Sequence, residues 1–114
     1  IRDSNNSAKN NWAISWIITL QYDSTVDQLK TIRNEIEAYI NSSEDYDPKV
    51  GVAVRVDKFS DSSIDMYVSC FTKSNSWNEW LAVKERLAIE IKNIVEKNKA
   101  SFAFPSSSIY IEKK

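Results

Sequence analysis

Histidine does not occur in this chain of 114 residues, so neither a Ser-His-Asp triad nor a histidine-ligated zinc site can be assembled within it. Cysteine occurs once, at Cys70, which excludes an internal disulfide and a cysteine-rich metal centre. Glycine also occurs once, at Gly51, where ordinary usage of ~7% would place about eight. Loops that cradle phosphate need several glycines for close backbone approach, so P-loop and dinucleotide-binding readings both fail. Excess charge is missing as well. Fifteen basic against sixteen acidic residues leave a net charge of -1, without the positive field that draws a protein to nucleic acid or to an anionic membrane surface. No stretch carries the ~20 consecutive apolar residues that span a bilayer. The richest, Trp12 to Leu20, is interrupted by Ser15 and Thr19. These absences predict a domain with no catalytic, cofactor-binding or metal-binding residues, no nucleic-acid partner and no direct membrane contact.

What is present is ordinary for one globular domain: 42% hydrophobic and 27% charged residues, in a length that can bury its own core. The first pattern after a polar opening is a period-two alternation. Trp12, Ile14, Trp16, Ile18, Leu20 and Tyr22 share one face, which predicts a strand with that face buried. Thr25 and Gln28 have capping-box spacing, Asp27 adds an acid at the positive helix end, and Leu29, Ile32, Ile36 and Ile40 form one stripe. A helix from about Val26 to Asn41 follows. Val50, Val52, Val54 and Val56 then alternate, as do Ile64, Met66, Val68 and Cys70 after the polar link Ser60–Ser63. Two such runs so closely joined read as an antiparallel hairpin. A second box, Ser76 with Glu79, opens the longest helix, whose stripe of Trp80, Val83, Leu87, Ile91, Ile94 and Val95 runs to about Lys97. Ile109 and Ile111 mark one face of a short final strand within Ser106–Glu112. The order βαββαβ predicts an α+β, ferredoxin-like sandwich, an antiparallel sheet with two helices on one face.

Three groups of residues invite sharper readings. The four tryptophans could form a carbohydrate platform or a membrane belt, but aromatic residues dominate cores and subunit interfaces, and packing is the better account. Asp57, Asp61 and Asp65 are spaced by four, which does not match the alternating ligands of a calcium loop. They are read as solvated turn carboxylates. Cys70 shares a strand face with Met66 and Val68, which predicts a small buried hydrophobe rather than a reactive thiol.

Four blocks carry a family resemblance. Ile17 to Thr25, with its Tyr22-Asp23 ending, resembles the first strand of the C-terminal domain of MscS-type mechanosensitive channels. Phe59-Ser60-Asp61-Ser62-Ser63-Ile64-Asp65 is similar to that family's hairpin. Thr72 to Leu81, with Trp77 and Trp80, is similar to the start of its second helix. Phe102-Ala103-Phe104-Pro105 followed by Ser106 to Glu112 resembles its ending. Two departures stand out: Ser60 and Asp61 occupy turn positions where the family commonly has glycine, and Ser107 stands where a basic residue is common.

The resemblance implies that residues 1–11 are a linker from an upstream β-rich domain, residues 12–104 the ferredoxin-like domain, and residues 105–114 a C-terminal strand and tail. It implies a cytoplasmic vestibule domain of an ion channel in the inner (plasma) membrane, a homo-oligomer of seven subunits that passes solutes during osmotic down-shock. Phe102, Phe104, Pro105, Ile109 and Ile111 become the candidate subunit interface. The last strand either closes the local sheet or pairs with copies of itself from neighbouring subunits. In isolation the domain is expected to be monomeric or weakly associated. A free-standing ferredoxin-like module that binds a small ligand is the alternative, distinguished by a concave polar site.

Overall fold

A computed structural model describes residues 12–103. Their elements are β1 (Trp12–Gln21), α1 (Val26–Ser42), β2 (Val52–Phe59), β3 (Ser63–Thr72) and α2 (Trp77–Lys97). The three strands form one antiparallel sheet in the order β1-β3-β2. The hairpin partner β3 is therefore the central strand, and β1 closes against it from the far side.

The register assigns each side chain a face. Ile14 lies opposite Cys70, Trp16 opposite Val68, Ile18 opposite Met66 and Leu20 opposite Ile64. On the other side Val52 pairs with Cys70 and Val54 with Val68. All these residues point to one side, and both helices cover it. Leu29, Ile32, Ile36 and Ile40 of α1 and Val83, Leu87, Ile91, Ile94 and Val95 of α2 complete the core. The predicted stripes of both helices are thus the buried ones, as amphipathic periodicity requires. This is the expected α+β sandwich with two helices on one face. The final strand expected within Ser106–Glu112 lies outside the described residues.

Local chemistry sets the boundaries. At α1, Thr25 and Gln28 form the complete capping box: the Gln28 amide donates to Thr25 Oγ1 at 3.1 Å, and the Thr25 amide donates to Gln28 Oε1 at 2.8 Å. At α2 only half the predicted box forms. The Glu79 amide donates to Ser76 Oγ at 3.2 Å, but Glu79 Oε1 accepts from Asn75, one residue before the cap, at 2.8 Å. Either arrangement satisfies a donor that the helix leaves free.

Three expectations need correction. β2 starts at Val52 and runs to Phe59, so Val50 lies before the strand and is exposed. Tyr22 falls in the turn after β1 instead of on its inner face. Asp65 is buried, not solvated: it accepts from Ser60 Oγ at 3.0 Å and Ser63 Oγ at 3.4 Å, which ties down the hairpin turn. Asp57 and Asp61 are exposed as expected.

Candidate functional site

The sheet has two ends, and each carries exposed aromatic side chains. At the first, β1 stops at Gln21, whose carbonyl accepts both the Ser24 amide at 3.0 Å and Ser24 Oγ at 2.8 Å. The turn leaves the Tyr22 ring outside the core, 59% exposed. The β2–β3 register shifts between Val56 and Lys58, a bulge that carries one extra residue. Bulges bend a strand and re-aim the side chains beyond them. Beyond this one, Phe59 is 64% exposed and meets Tyr22 edge-to-face, with ring centroids 6.2 Å apart.

The second end is built by Trp12 and the first turns of α2. The Trp12 and Trp80 rings lie 5.6 Å apart. The Trp80 indole N–H donates to the Ala13 carbonyl at 3.2 Å, which pins the helix to the edge of β1. Lys84 Nζ sits 4.2 Å from the centre of the Trp80 ring, within cation–π range. Trp77, one turn earlier, is 60% exposed. The expectation that tryptophans pack holds for Trp12, Trp16 and Trp80, while Trp77 is left on the surface.

Of the five predicted interface residues, Phe102 alone is among the described residues. The chain reaches it through a Schellman motif closing α2, in which the Lys99 amide donates to Glu96 and the Ala100 amide to Val95, at 3.0 and 3.1 Å. This geometry puts Lys99 at φ 65°, where glycine is usual. Sequence reading had no signal for it, because the position is filled by lysine. Next, the Gln21 amide donates to Ser101 and the Ala103 amide to Thr19, at 3.0 and 2.9 Å, placing Phe102 opposite Leu20. Phe102 is half-buried against the core, so it anchors the chain to the edge of β1. Phe104, Pro105, Ile109 and Ile111 lie outside the described residues.

Two hollows flank the helices. One of about 370 Å³ is lined by Glu44, Asp45, Lys73, Glu79 and Arg86 among others. Arg86 pairs with Asp45 at 3.0 Å, Glu79 is held by the Asn75 amide, and the buried Thr72 donates to Ser74 Oγ at 3.0 Å. These groups join the α1–β2 loop to the start of α2. The other, about 340 Å³, lies beside Phe102 and includes Lys92 and Glu96, which pair with each other. Among the described residues no group of three His, Cys, Asp or Glu side chains is placed to hold a metal ion. No helix among them is long and apolar enough to cross a membrane.

Two buried groups complete the inventory. Cys70 is fully buried, and burial pushes its thiol up to about 12. Such a thiol is protonated at neutral pH and a poor nucleophile. Tyr46 is also fully buried beside the Tyr39 ring, centroids 6.1 Å apart, and among the described residues its hydroxyl has no partner at hydrogen-bond distance. Burial raises its pKa well above the usual phenol range. The sequence had placed Tyr46 in a polar loop. Its backbone bridges Thr72, and the adjacent Asp47 and Lys73 amides donate to Phe71 and Asp45.

The family model described as the C-terminal part of the mechanosensitive ion channel MscS matches residues 14–102, from within β1 to the Phe102 bridge. Among curated relatives, an uncharacterized MscS family protein of Helicobacter pylori is 43% identical over 91 residues, covering 79% of this chain and 15% of that protein. The low conductance mechanosensitive channel YnaI of Escherichia coli is 31% identical over 102 residues, covering 90% of this chain and 29% of that protein. The chain thus spans less than a third of either relative. Among solved structures, Arabidopsis thaliana MSL1 superposes with a TM-score of 0.76 at 21% identity, covering 88% of this chain and 36% of that one. Helicobacter pylori MscS in its closed state gives 0.66 at 21% identity, covering 89% and 37%. These two likenesses concern the fold.

Proposed function

The chain belongs to the MscS family of mechanosensitive ion channels, in its C-terminal domain, and from that premise we propose that it walls the cytoplasmic vestibule of a homo-oligomeric channel. In this reading it is a non-catalytic domain of an inner-membrane protein, in rings of seven. It supports assembly and lets solutes pass when external osmolarity drops. The observation that carries the reading is the family match across residues 14–102, nearly all of the described fold.

Register supports the assignment of the chain's end to subunit contact. The bonds between residues 19 and 103 and between 21 and 101 recur every second residue in an antiparallel ladder. The next donor towards the Ile17 carbonyl would come from residue 105, which is Pro105 and has no N–H. Continued pairing along β1 is therefore disfavoured at that point. The segment bearing Ile109 and Ile111 is assigned to a strand shared with neighbouring subunits, where a closed barrel leaves no free edge. Phe104, Pro105, Ile109 and Ile111 form that contact, and Phe102 fixes where it departs.

The test is made in the full-length channel. Alanine at Phe104, Ile109 and Ile111 together is expected to reduce the assembled species on native gels and the survival of cells after osmotic down-shock. Deleting residues 12–114 should do the same more severely. An assembled species and survival unchanged by that deletion would refute the vestibule and assembly role.

A further inference from the structure

The hollow of about 370 Å³ beside the start of α2 is walled by two segments that meet only in the fold. Glu44 and Asp45 come from the loop between α1 and β2, while Lys73, Ser74, Glu79 and Arg86 come from the turn after β3 and from α2. Backbone bonds fasten the loop in place. The Lys73 amide donates to the Asp45 carbonyl and the Asp47 amide to the Phe71 carbonyl, both at 2.9 Å. The fully buried Tyr46 side chain anchors the same loop from within. The walls are thus largely formed in advance, as small-molecule sites generally are.

The lining carries three acids and two bases, and most of them are already engaged. Nε and a terminal nitrogen of Arg86 both lie 3.0 Å from Asp45 Oδ2. Glu79 accepts from the Asn75 amide at 2.8 Å and sits in the first turn of α2, where the positive helix end offsets its charge. Lys73 and Glu44 remain, one exposed charge of each sign, and among the described residues neither joins an ion pair. Arg86 also keeps N–H groups to spare, because a guanidinium has five. Deeper in, the Ser74 side chain is 5% exposed. The Thr72 hydroxyl donates to Ser74 Oγ at 3.0 Å, which leaves the Ser74 hydroxyl proton without an acceptor among the described residues. Ala82 and Val83 add a small apolar wall.

We propose that this hollow binds a small zwitterion, an α-amino acid with a short aliphatic side chain. The ligand carboxylate is received by Lys73, by the spare N–H groups of Arg86 and by the Ser74 hydroxyl. Its ammonium is received by Glu44, and its side chain lies against Ala82 and Val83. A ligand with a negative charge alone meets a lining with one acid in excess. One with a positive charge alone leaves Lys73 and the Ser74 proton unanswered. Only a molecule with both charges uses both leftovers. Because the ligand touches the loop and α2 together, it ties the two segments to each other. The ion pairs involved are partly solvated and each contributes little, so half-saturation is expected on the order of millimolar. This site goes beyond the channel reading and does not depend on it.

The test is calorimetric titration of the 114-residue chain with L-valine, with N-acetyl-L-valine, which lacks the positive charge, and with L-valinamide, which lacks the negative one. L-Valine is expected to bind saturably, and each singly charged analogue several-fold more weakly. Lys73→Met and Glu44→Gln should each weaken L-valine several-fold while leaving the urea midpoint near wild type, because both side chains are exposed. Amide NMR signals of Lys73, Ser74 and Ala82 should move as L-valine is added, with those of the distant Asp57 unmoved. No saturable binding by the wild-type chain would overturn the proposal. Equal binding of either analogue would overturn the zwitterion, and wild-type binding by both variants, or shifts confined to residues away from the hollow, would overturn its location. Each of these results leaves the family assignment intact, since that rests on the sequence match across residues 14–102.

Discussion

β2 and β3 are written in the same alternation of apolar and polar residues, yet they sit at different depths. In β3 the residues Ile64, Met66, Val68, Cys70 and Thr72 are all buried, and even the outward-facing Asp65 is closed in by two serine hydroxyls. In β2 only Val54 is buried; Val56, on the same inner face, is 39% exposed. The difference lies in position. Among the described residues β3 is flanked by strands on both sides, whereas β2 has one neighbour and its register slips just after Val56. Alternation thus specifies which face a residue takes, while sheet order specifies how much of that face is covered.

Truncation gives the largest predicted contrast. Met66→Ala should cost about 2–5 kcal/mol, as should Leu87→Ala beneath the sheet, because each removes fully buried methylenes and leaves a cavity. Val56→Ala should stay within about 0.5 kcal/mol. Urea midpoints of the three variants measure this, and a Val56 cost matching that of Met66 would erase the contrast.

The outer face of β3 offers a second, smaller test. Asp65→Ala leaves two serine hydroxyls without their acceptor and should cost about 1–3 kcal/mol. Asp61→Ala, in the same hairpin but solvated, should change the midpoint little. Equal effects would mean that the buried hydroxyl contacts contribute nothing.

Alkaline unfolding probes the burial of β3 without changing its shape. The Cys70 thiol is raised from an unfolded value of about 8.5 to about 12 in the fold. Between those values the folded chain holds a proton that the unfolded chain releases. Its contribution is fully present below pH ~8.5 and is lost as pH rises towards 12. Stability is therefore expected to fall on that alkaline limb, and Cys70→Ala should flatten it until the tyrosines begin to titrate. An unaltered slope in that variant would contradict the assignment.

Tyr46→Phe should have the smallest effect. Among the described residues the hydroxyl has no partner to lose, so its removal is expected to leave the midpoint unchanged or slightly raised. A loss above about 1 kcal/mol would reveal a hydrogen bond to that hydroxyl.

Much of the fold was legible because its signals are local. The α1 box needs only Thr25 and Gln28 at the right spacing, and the stripes from Leu29 to Ile40 and from Val83 to Val95 are set by helical period. The features misread were those whose partners are distant in sequence. Tyr46 looked like a loop residue until Thr72 supplied its bridge. Tyr22 continued the alternation of β1 until Ser24 capped the turn before it. The Tyr22–Phe59 pair and the Trp12–Trp80 pair were invisible as pairs, since 37 and 68 positions separate their members.

Four short blocks carried the family resemblance, and the sequence by itself determined the classes of chemistry excluded by the absence of histidine and the scarcity of glycine, and the elements with their buried stripes. It could do so because composition and periodicity are properties of neighbouring residues. The tertiary structure decided that among the described residues β3 is central and β2 an edge, that Lys99 takes the left-handed position closing α2, and that aromatic rings are left uncovered at both ends of the sheet. Those outcomes depend on which surfaces remain after distant elements have packed, and local spacing carries no record of them.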